Sequence, residues 1–291
     1  MKDSQHRYRE QNQRFLLIAT VIAALSVFAG CARRPAELDG PRFVVVTQNL
    51  GDVVAPRPSV DEVMQVLGEM PKADAYLLQE VAGKRTAEAI AAALSDETGT
   101  YRAFYTSEAG VAVVTRHPVE DVAAATDASA LRVSVQLPNE QLVRLVSVHL
   151  PAFRKPRQRD GDARIGPLYG ALRLAREAVT PNGRSRSVDR ILEWLDDGGA
   201  PAPTIVGGDF NTVPLTLAPR KMRPEYRDSL WRSGDYLTGT YRRIAGPLSA
   251  RIDFLFHTPE FAVAEAFVHS GSAGDHLPVF AEYALGSPAD E

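Results

Sequence analysis

The chain has 291 residues and a mass of 31.7 kDa, with 45% hydrophobic and 24% charged residues and a formal net charge of -3. These fractions exclude a disordered chain, a collagen-like repeat and a multi-span membrane protein, and the acidic balance argues against a general nucleic-acid coat protein, which needs excess Lys and Arg to neutralise phosphates. A single cysteine, Cys31, leaves neither a disulfide framework nor a cysteine metal cage.

Residues 1–14 are polar with a net charge of +2, and Phe15 to Gly30 run sixteen positions without a charge before Cys31. A positive start, a short apolar stretch and small residues at its end predict a secretory signal over 1–30. The run falls short of the roughly twenty apolar residues a membrane span needs. The ending Phe28-Ala29-Gly30-Cys31 resembles the lipobox of bacterial lipoproteins, with Phe28 in place of the usual leucine. That resemblance implies lipidation of Cys31 and an exported protein anchored to a membrane, facing the periplasm or the cell exterior. An uncleaved anchor is the alternative and leaves the domain on the same side. Residues 31–41 read as a polar, Pro-bearing tether, 42–285 as the domain, and 286–291 as a tail too small and polar to pack.

Phe43–Leu50 is a β-branched run and predicts a buried strand. Val63, Val66 and Leu67 give Ser59–Met70 a helical spacing, and Ser59 with Glu62 three later forms a capping box. Ala75–Leu78 predicts a second strand and Thr86–Leu94 an alanine-rich helix. Four strands follow at Tyr101–Tyr105, Val111–Thr115, Leu131–Leu137 and Leu142–Leu150. Leu172–Val179 and Val188–Leu195 read as helices, Thr204–Gly207 as a strand entering a glycine turn, and Ile252–Phe256, Ala262–Val268 and Val279–Tyr283 as closing strands. The order predicts one α/β (α+β) domain, with two packed sheets and helices outside them.

Polar residues interrupt the buried runs at their ends. Asn49 ends the first strand, Glu80 the second in Leu-Leu-Gln-Glu, and His149 falls near the end of Val-Ser-Val-His-Leu-Pro. Asp209 and Asn211 follow in Gly-Gly-Asp-Phe-Asn-Thr, Asp253 lies in Arg-Ile-Asp-Phe, and Asp275-His276 precede the last strand. A single polar residue at a strand end is ordinarily a cap or turn former. Several ionisable groups beside continuous apolar runs are costly unless they pair or hold a metal. Carboxylate and amide oxygens without thiolates suit a hard cation, Mg²⁺ or Mn²⁺, and two histidines beside acids supply a proton donor and acceptor. A phosphate loop ending in Lys-Ser or Lys-Thr, a His-Glu-x-x-His helix and a Gly-x-Ser-x-Gly elbow are all missing, which argues against a nucleotide-driven motor, a zinc protease and a serine esterase. Metal-assisted hydrolysis of a phosphate ester remains.

Asn49, Leu-Gln-Glu80, His149-Leu, Gly-Asp209-Phe-Asn211, Arg-Ile-Asp253 and Asp275-His276 resemble, in order, the motifs of the endonuclease/exonuclease/phosphatase superfamily, the deoxyribonuclease-I-like fold. The resemblance covers about Phe43 to Tyr283. It implies a four-layer α/β/β/α sandwich in which Glu80, Asn49 and Asp275 serve the metal. It implies that His276, held by Asp253, binds the phosphate or takes a proton from the attacking water. Asp209 would then activate that water, Asn211 would donate to a phosphate oxygen, and His149 would assist the leaving group with Glu108 as its candidate partner. The implied substrates are phosphate esters, nucleic acid among them; the chain is expected to be a monomer.

From Ala152 to Arg186 nine Lys or Arg, including Arg154, Arg173, Arg176 and Arg184, face three acids. The stretch reads either as an electrostatic lip for a polyanion or as a solvated loop and helix face. Three functions stay open: a metal-dependent phosphodiesterase of nuclease type, a phosphatase or phospholipid (sphingomyelin-type) head-group hydrolase on the same scaffold, or a non-catalytic binding module.

Overall fold

The run from Arg42 to Asn49 forms β1, whose residues are buried from Val45 onward on both faces, as a strand covered by a second sheet on one side and helices on the other requires. The computed structural model describes residues 40–51, 57–152, 174–197, 201–231, 233–242 and 250–286. The predicted signal, Cys31, the tail from Ser287 and most of the basic stretch lie outside the described residues. Among the described residues no helix is long and apolar enough to cross a membrane.

After β1 come α1 (Val60–Leu67), β2 (Ala75–Gln79), α2 (Lys84–Leu94), β3 (Arg102–Thr106), β4 (Val111–Thr115), β5 (Val119–Ala125), β6 (Ala130–Gln136) and β7 (Leu142–His149). Then follow a helical segment at 174–179, α3 (Gly183–Asp196), β8 (Thr204–Asp209), α4 (Leu217–Met222), β9 (Arg227–Asp228), β10 (Asp253–His257), β11 (Phe261–Val268) and β12 (Val279–Leu285). The capping box predicted at Ser59 and Glu62 is formed in both directions.

Two six-stranded sheets result, ordered β11-β12-β1-β2-β4-β3 and β5-β6-β7-β8-β10-β9. Each has one parallel pair near its middle, β1 with β2 and β7 with β8, and every other pairing is antiparallel. A parallel pair needs a crossover, which α1 supplies in the first sheet and α3 in the second. Alternate side chains then sort into three apolar layers. Val45, Leu77, Leu145 and Ile205 fill the gap between the sheets. Val46, Leu78, Ile90 and Phe280 pack under α1 and α2, and Val146, Val206, Ile191 and Phe254 under α3 and α4. This is the four-layer α/β/β/α sandwich.

Several features depart from the sequence expectations. β8 does not turn at its glycines but continues through Gly207 and Gly208 to Asp209. Gly208 makes this possible with φ +150°, and a Cβ there would lie 1.9 Å from the Val148 carbonyl oxygen of the neighbouring strand. The edge strand β5 was not expected, because its exposed Val-Glu-Asp-Val-Ala-Ala-Ala has no apolar alternation to betray it. The short helix α4 likewise lacks a periodic pattern long enough to read.

Register fixes where function can reside. Asn49 pairs with Gln79 and His149 with Asp209, so the C-terminal ends of both parallel pairs stand at one end of the sandwich. Asp253 at the start of β10 also pairs with Asp209, and the residues before β12 arrive at the same end.

Candidate active site

Six strand ends therefore converge on one cluster. Asn49 Nδ2 donates to Glu80 Oε1 at 3.2 Å and, across the gap between the sheets, to Asp209 Oδ2 at 3.0 Å. Asn49 Oδ1 accepts from the Gly51 N–H at 2.8 Å. Gly51 is a close-approach glycine, since a Cβ there would lie 2.0 Å from Glu80 Oε2. Glu80 and Asn211 both adopt the left-handed region, with φ of 53° and 51°. Asn tolerates that conformation locally, whereas for Glu it is uncommon and costs backbone energy. Glu80 follows immediately on β2 and Asn211 stands two residues beyond the end of β8, and the bend at Glu80 brings its carboxylate within reach of Asn49.

Asp209 is buried and densely bonded. Its Oδ1 accepts from the Asn211 N–H at 2.7 Å and its Oδ2 from Asn211 Nδ2 at 3.0 Å. Asn211 Nδ2 also donates to the Leu150 carbonyl at 2.9 Å, which ties the end of β7 to the turn after β8. Both hydrogens of the Asn211 amide are thus engaged within the protein. His276 Nδ1 contacts Asp253 Oδ2 at 2.9 Å, and its Nε2 lies 3.9 Å from both Asp209 Oδ2 and Asp275 Oδ1. His149 Nε2 stands 3.6 Å from Glu80 Oε1 and 3.8 Å from Asp209 Oδ2.

These contacts separate the proton affinities of the site. Burial disfavours the imidazolium of His276, but the charge and hydrogen bond of Asp253, with Asp209 and Asp275 behind it, push its pKa up to about 10. Burial, followed by the charge of Asp253, raises Asp209 to about 7 against the pull of His276 and of its bonds from Asn211 and Asn49. His149 is lowered, chiefly by burial and also by the nearby His276. Near neutral pH the cluster thus holds a cationic His276, a neutral His149 and a carboxylate poised to exchange a proton.

The donor set fits a hard divalent cation. Ligand atoms of Glu80, His149 and Asp209 all lie within 4.8 Å of one another, as do those of Asp209, Asp253 and His276. Oxygen donors predominate and no thiolate is present, and Gly51 leaves the space beside Glu80 Oε2 clear of a side chain.

The structure brings Asn49, Glu80, His149, Asp209, Asn211, Asp253, Asp275 and His276 to one end of the sandwich. Glu108 sits at the same end, exposed in the β3–β4 turn beside Gly110, whose carbonyl accepts from the Val81 N–H at 2.9 Å. Among the described residues the carboxylates within ion-pair range of His149 are those of Glu80 and Asp209. Arg251 binds Asp228 at 2.6 Å and leaves Asp253 to His276. Within the basic stretch, Arg184 is not on the surface: it is buried in an ion pair with Glu177 and donates to the Pro151 carbonyl. Arg176 and Arg186 are exposed.

Two site residues have no signal in the sequence. Thr240 is fully buried, and its Oγ1 accepts from the N–H groups of Ile252 and Asp253 at 3.0 Å each. Tyr241 forms a backbone bridge with His276 and lays its ring 5.0 Å from the imidazole. Both stand in an aperiodic stretch more than ten residues from Asp253, where only the folded chain shows their role.

The model of the Endonuclease/Exonuclease/phosphatase family matches residues 47–276. No curated protein sequence matches the chain. Among solved structures, an endonuclease/exonuclease/phosphatase from Bacteroides vulgatus superposes with a TM-score of 0.60 at 17% identity, over 84% of this chain and 99% of that one. An endonuclease/exonuclease/phosphatase from Beutenbergia cavernae gives 0.56 at 21% identity, over 84% and 72%. D. rerio TDP2 complexed with a single-strand DNA product gives 0.59 at 14% identity, over 84% and 99%. At these identities the superpositions speak for the fold.

Proposed function

The chain belongs to the endonuclease/exonuclease/phosphatase family, and from that premise we propose that it is a divalent-metal-dependent phosphodiesterase acting on nuclease-type substrates. The observation that carries the reading is the buried imidazole–carboxylate pair at the centre of the site, His276 Nε2 at 3.9 Å from Asp209 Oδ2. A buried His276 raised to about 10 faces a buried Asp209 raised to about 7, with Asp253 holding the histidine at 2.9 Å.

In this reading His276 works as an imidazolium and binds a non-bridging phosphate oxygen. Asp209 orients the attacking water and accepts its proton, for which an affinity near neutrality is suited. Asn211 and Asn49 fix the Asp209 carboxylate from two sides. Glu80 and Asn49, with Asp275, would hold the divalent cation, which when bound neutralises charge on the phosphate and on the departing oxygen. His149, neutral and facing Glu80, would assist the leaving group by donating an N–H hydrogen bond to the departing oxygen, which then takes its proton from solvent. Attack is in line, and none of the cluster's side chains is a hydroxyl or thiol nucleophile. The Phe28-Ala29-Gly30-Cys31 segment supports an exported, lipid-anchored setting for this activity, and loss of membrane fractionation in Cys31→Ser would test it.

Purified protein assayed on plasmid DNA, bis-p-nitrophenyl phosphate and p-nitrophenyl phosphate, with Mg²⁺ or Mn²⁺ and with chelator, tests the reading. Metal-dependent cleavage of the diesters, lost in His276→Ala, is expected. Turnover of the monoester alone selects a phosphatase, and silence on all three with intact fold selects a binding module.

A further inference from the structure

One pleat below the carboxylates, three fully buried polar side chains interrupt the apolar contact between the sheets: Thr47 on β1, Gln79 on β2 and Ser147 on β7. Gln79 Nε2 donates across the gap to Ser147 Oγ at 3.0 Å. It also lies 3.2 Å from Thr47 Oγ1 and 3.0 Å from the Leu77 carbonyl. Ser147 Oγ donates back to the Leu78 carbonyl at 3.1 Å, a second crossing from the second sheet to the first. Thr47 Oγ1 donates to the Leu77 carbonyl at 3.0 Å.

The three stand at fixed offsets from the site. Thr47 is two residues before Asn49, Gln79 one before Glu80, and Ser147 two before His149. The Gln79 carbonyl is held as well, accepting from the Leu50 N–H at 2.9 Å, so the residue entering the left-handed bend at Glu80 is fixed by side chain and backbone together. Asn49 and Asp209 join the sheets again one layer higher.

Stability alone does not call for this layer. Apolar side chains of similar volume would fill the gap without desolvating an amide and two hydroxyls, and such exchanges are often neutral or favourable. Hydrogen bonds supply what apolar packing does not, a fixed atom-to-atom alignment of two sheets that could otherwise slide. We propose that Gln79, with Ser147 and Thr47, is a positioning bridge that holds the strand ends bearing Glu80 and Asn49 in register with those bearing His149 and Asp209. The inference rests on the proposed hydrolase function, because it assigns the bridge to that reaction.

The test uses the full chain carrying Gln79→Met, Ser147→Ala and both, read by thermal unfolding, by steady-state kinetics on bis-p-nitrophenyl phosphate and by calorimetric titration with Mn²⁺ alone. Expected are unfolding midpoints near wild type, kcat and Mn²⁺ affinity each lower by about tenfold, as for other groups that orient ligands, and KM within about twofold. The double variant should be no worse than the poorer single one, because the two groups form one bridge. Unchanged kcat and Mn²⁺ affinity in a folded Gln79→Met protein overturn the proposal, and so do independent losses that add in the double variant. If Gln79→Met does not fold, Ser147→Ala decides by the same readouts. Wild-type protein that hydrolyses no ester refutes the hydrolase reading instead, and the Mn²⁺ titration still decides the bridge.

Discussion

Replacing Asp253 by Asn isolates the charge that makes His276 a cation. Raising a histidine from its ordinary 6.5 to about 10 corresponds to about 5 kcal/mol in favour of the imidazolium. Burial opposes that state, and Asp253, at 2.9 Å from Nδ1, contributes most of what overcomes it. Asp209 and Asp275 lie farther from Nε2, both at 3.9 Å. The asparagine keeps the volume and can accept a hydrogen bond but carries no charge, so burial should prevail. His276 is then expected to titrate near or below 6.5 and to be largely neutral at pH 7.5. The metal-free protein allows a direct measurement, by following the imidazole Cε1–H resonance of His276, assigned from the His276→Ala spectrum, between pH 5 and pH 9. Wild type should show no midpoint in that range and Asp253→Asn should show one. Turnover at pH 7.5 should fall by about a hundredfold to a thousandfold, or about 3–4 kcal/mol, as for loss of one preorganised charge at a developing anion. A wild-type midpoint below pH 8 would refute the assignment of a standing cation. An Asp253→Asn protein with more than about a tenth of normal turnover would refute the claim that the cation matters.

Glu80→Gln keeps the shape of the left-handed bend but removes one negative charge from the oxygen cluster; it should weaken Mn²⁺ binding by at least about tenfold with an unfolding midpoint near wild type, measured by calorimetry and thermal melts. His149→Ala should cost more on a diester with an alkoxide leaving group than on bis-p-nitrophenyl phosphate, and equal losses on both would remove its role in leaving-group departure. Gly208→Ala places a methyl 1.9 Å from a backbone oxygen at a φ that L-residues rarely adopt; it should fail to give folded protein by circular dichroism. Far from the site, His257 is buried on β10 between Phe261 and Tyr283, and burial lowers it to about 4. Above pH 6.5 neither folded nor unfolded chain binds that proton. As pH falls from 6.5 to 4 only the unfolded chain binds it, so stability drops by up to about 3 kcal/mol. Urea unfolding at pH 7 and pH 4.5 should show a shallower loss in His257→Leu than in wild type.

How far the sequence reveals this site follows from what a single strand can display. Asn49, Glu80, His149, Asp209 and Asp253 each interrupt or end a run whose neighbours are buried, and the cost of burying a polar group beside such a run makes those positions legible. The same reasoning overlooks Thr47, Gln79 and Ser147. Thr47 and Ser147 lie inside their runs rather than at the ends, Gln79 closes β2 directly before the more conspicuous Glu80, and a lone hydroxyl or amide in a strand has no periodic partner in one dimension. Their pairing depends on two sheets facing each other, which no spacing along the chain encodes. Thr240 and Tyr241 escape for a related reason: a hydroxyl that accepts from the N–H groups at the start of β10 and a ring laid against the His276 imidazole join segments that are distant in the chain, and nothing in the flanking residues announces either contact. Position in the chain is a weak guide in the other direction too. Glu108 reaches the correct end of the sandwich because β3 and β4 are a hairpin against β2, yet its carboxylate stays exposed, while His149 meets Glu80 and Asp209 by way of two parallel pairs whose strand ends coincide. The chemistry is written residue by residue, but its geometry is set by two crossovers that put four strand ends on one side and by a buried polar layer that keeps them there.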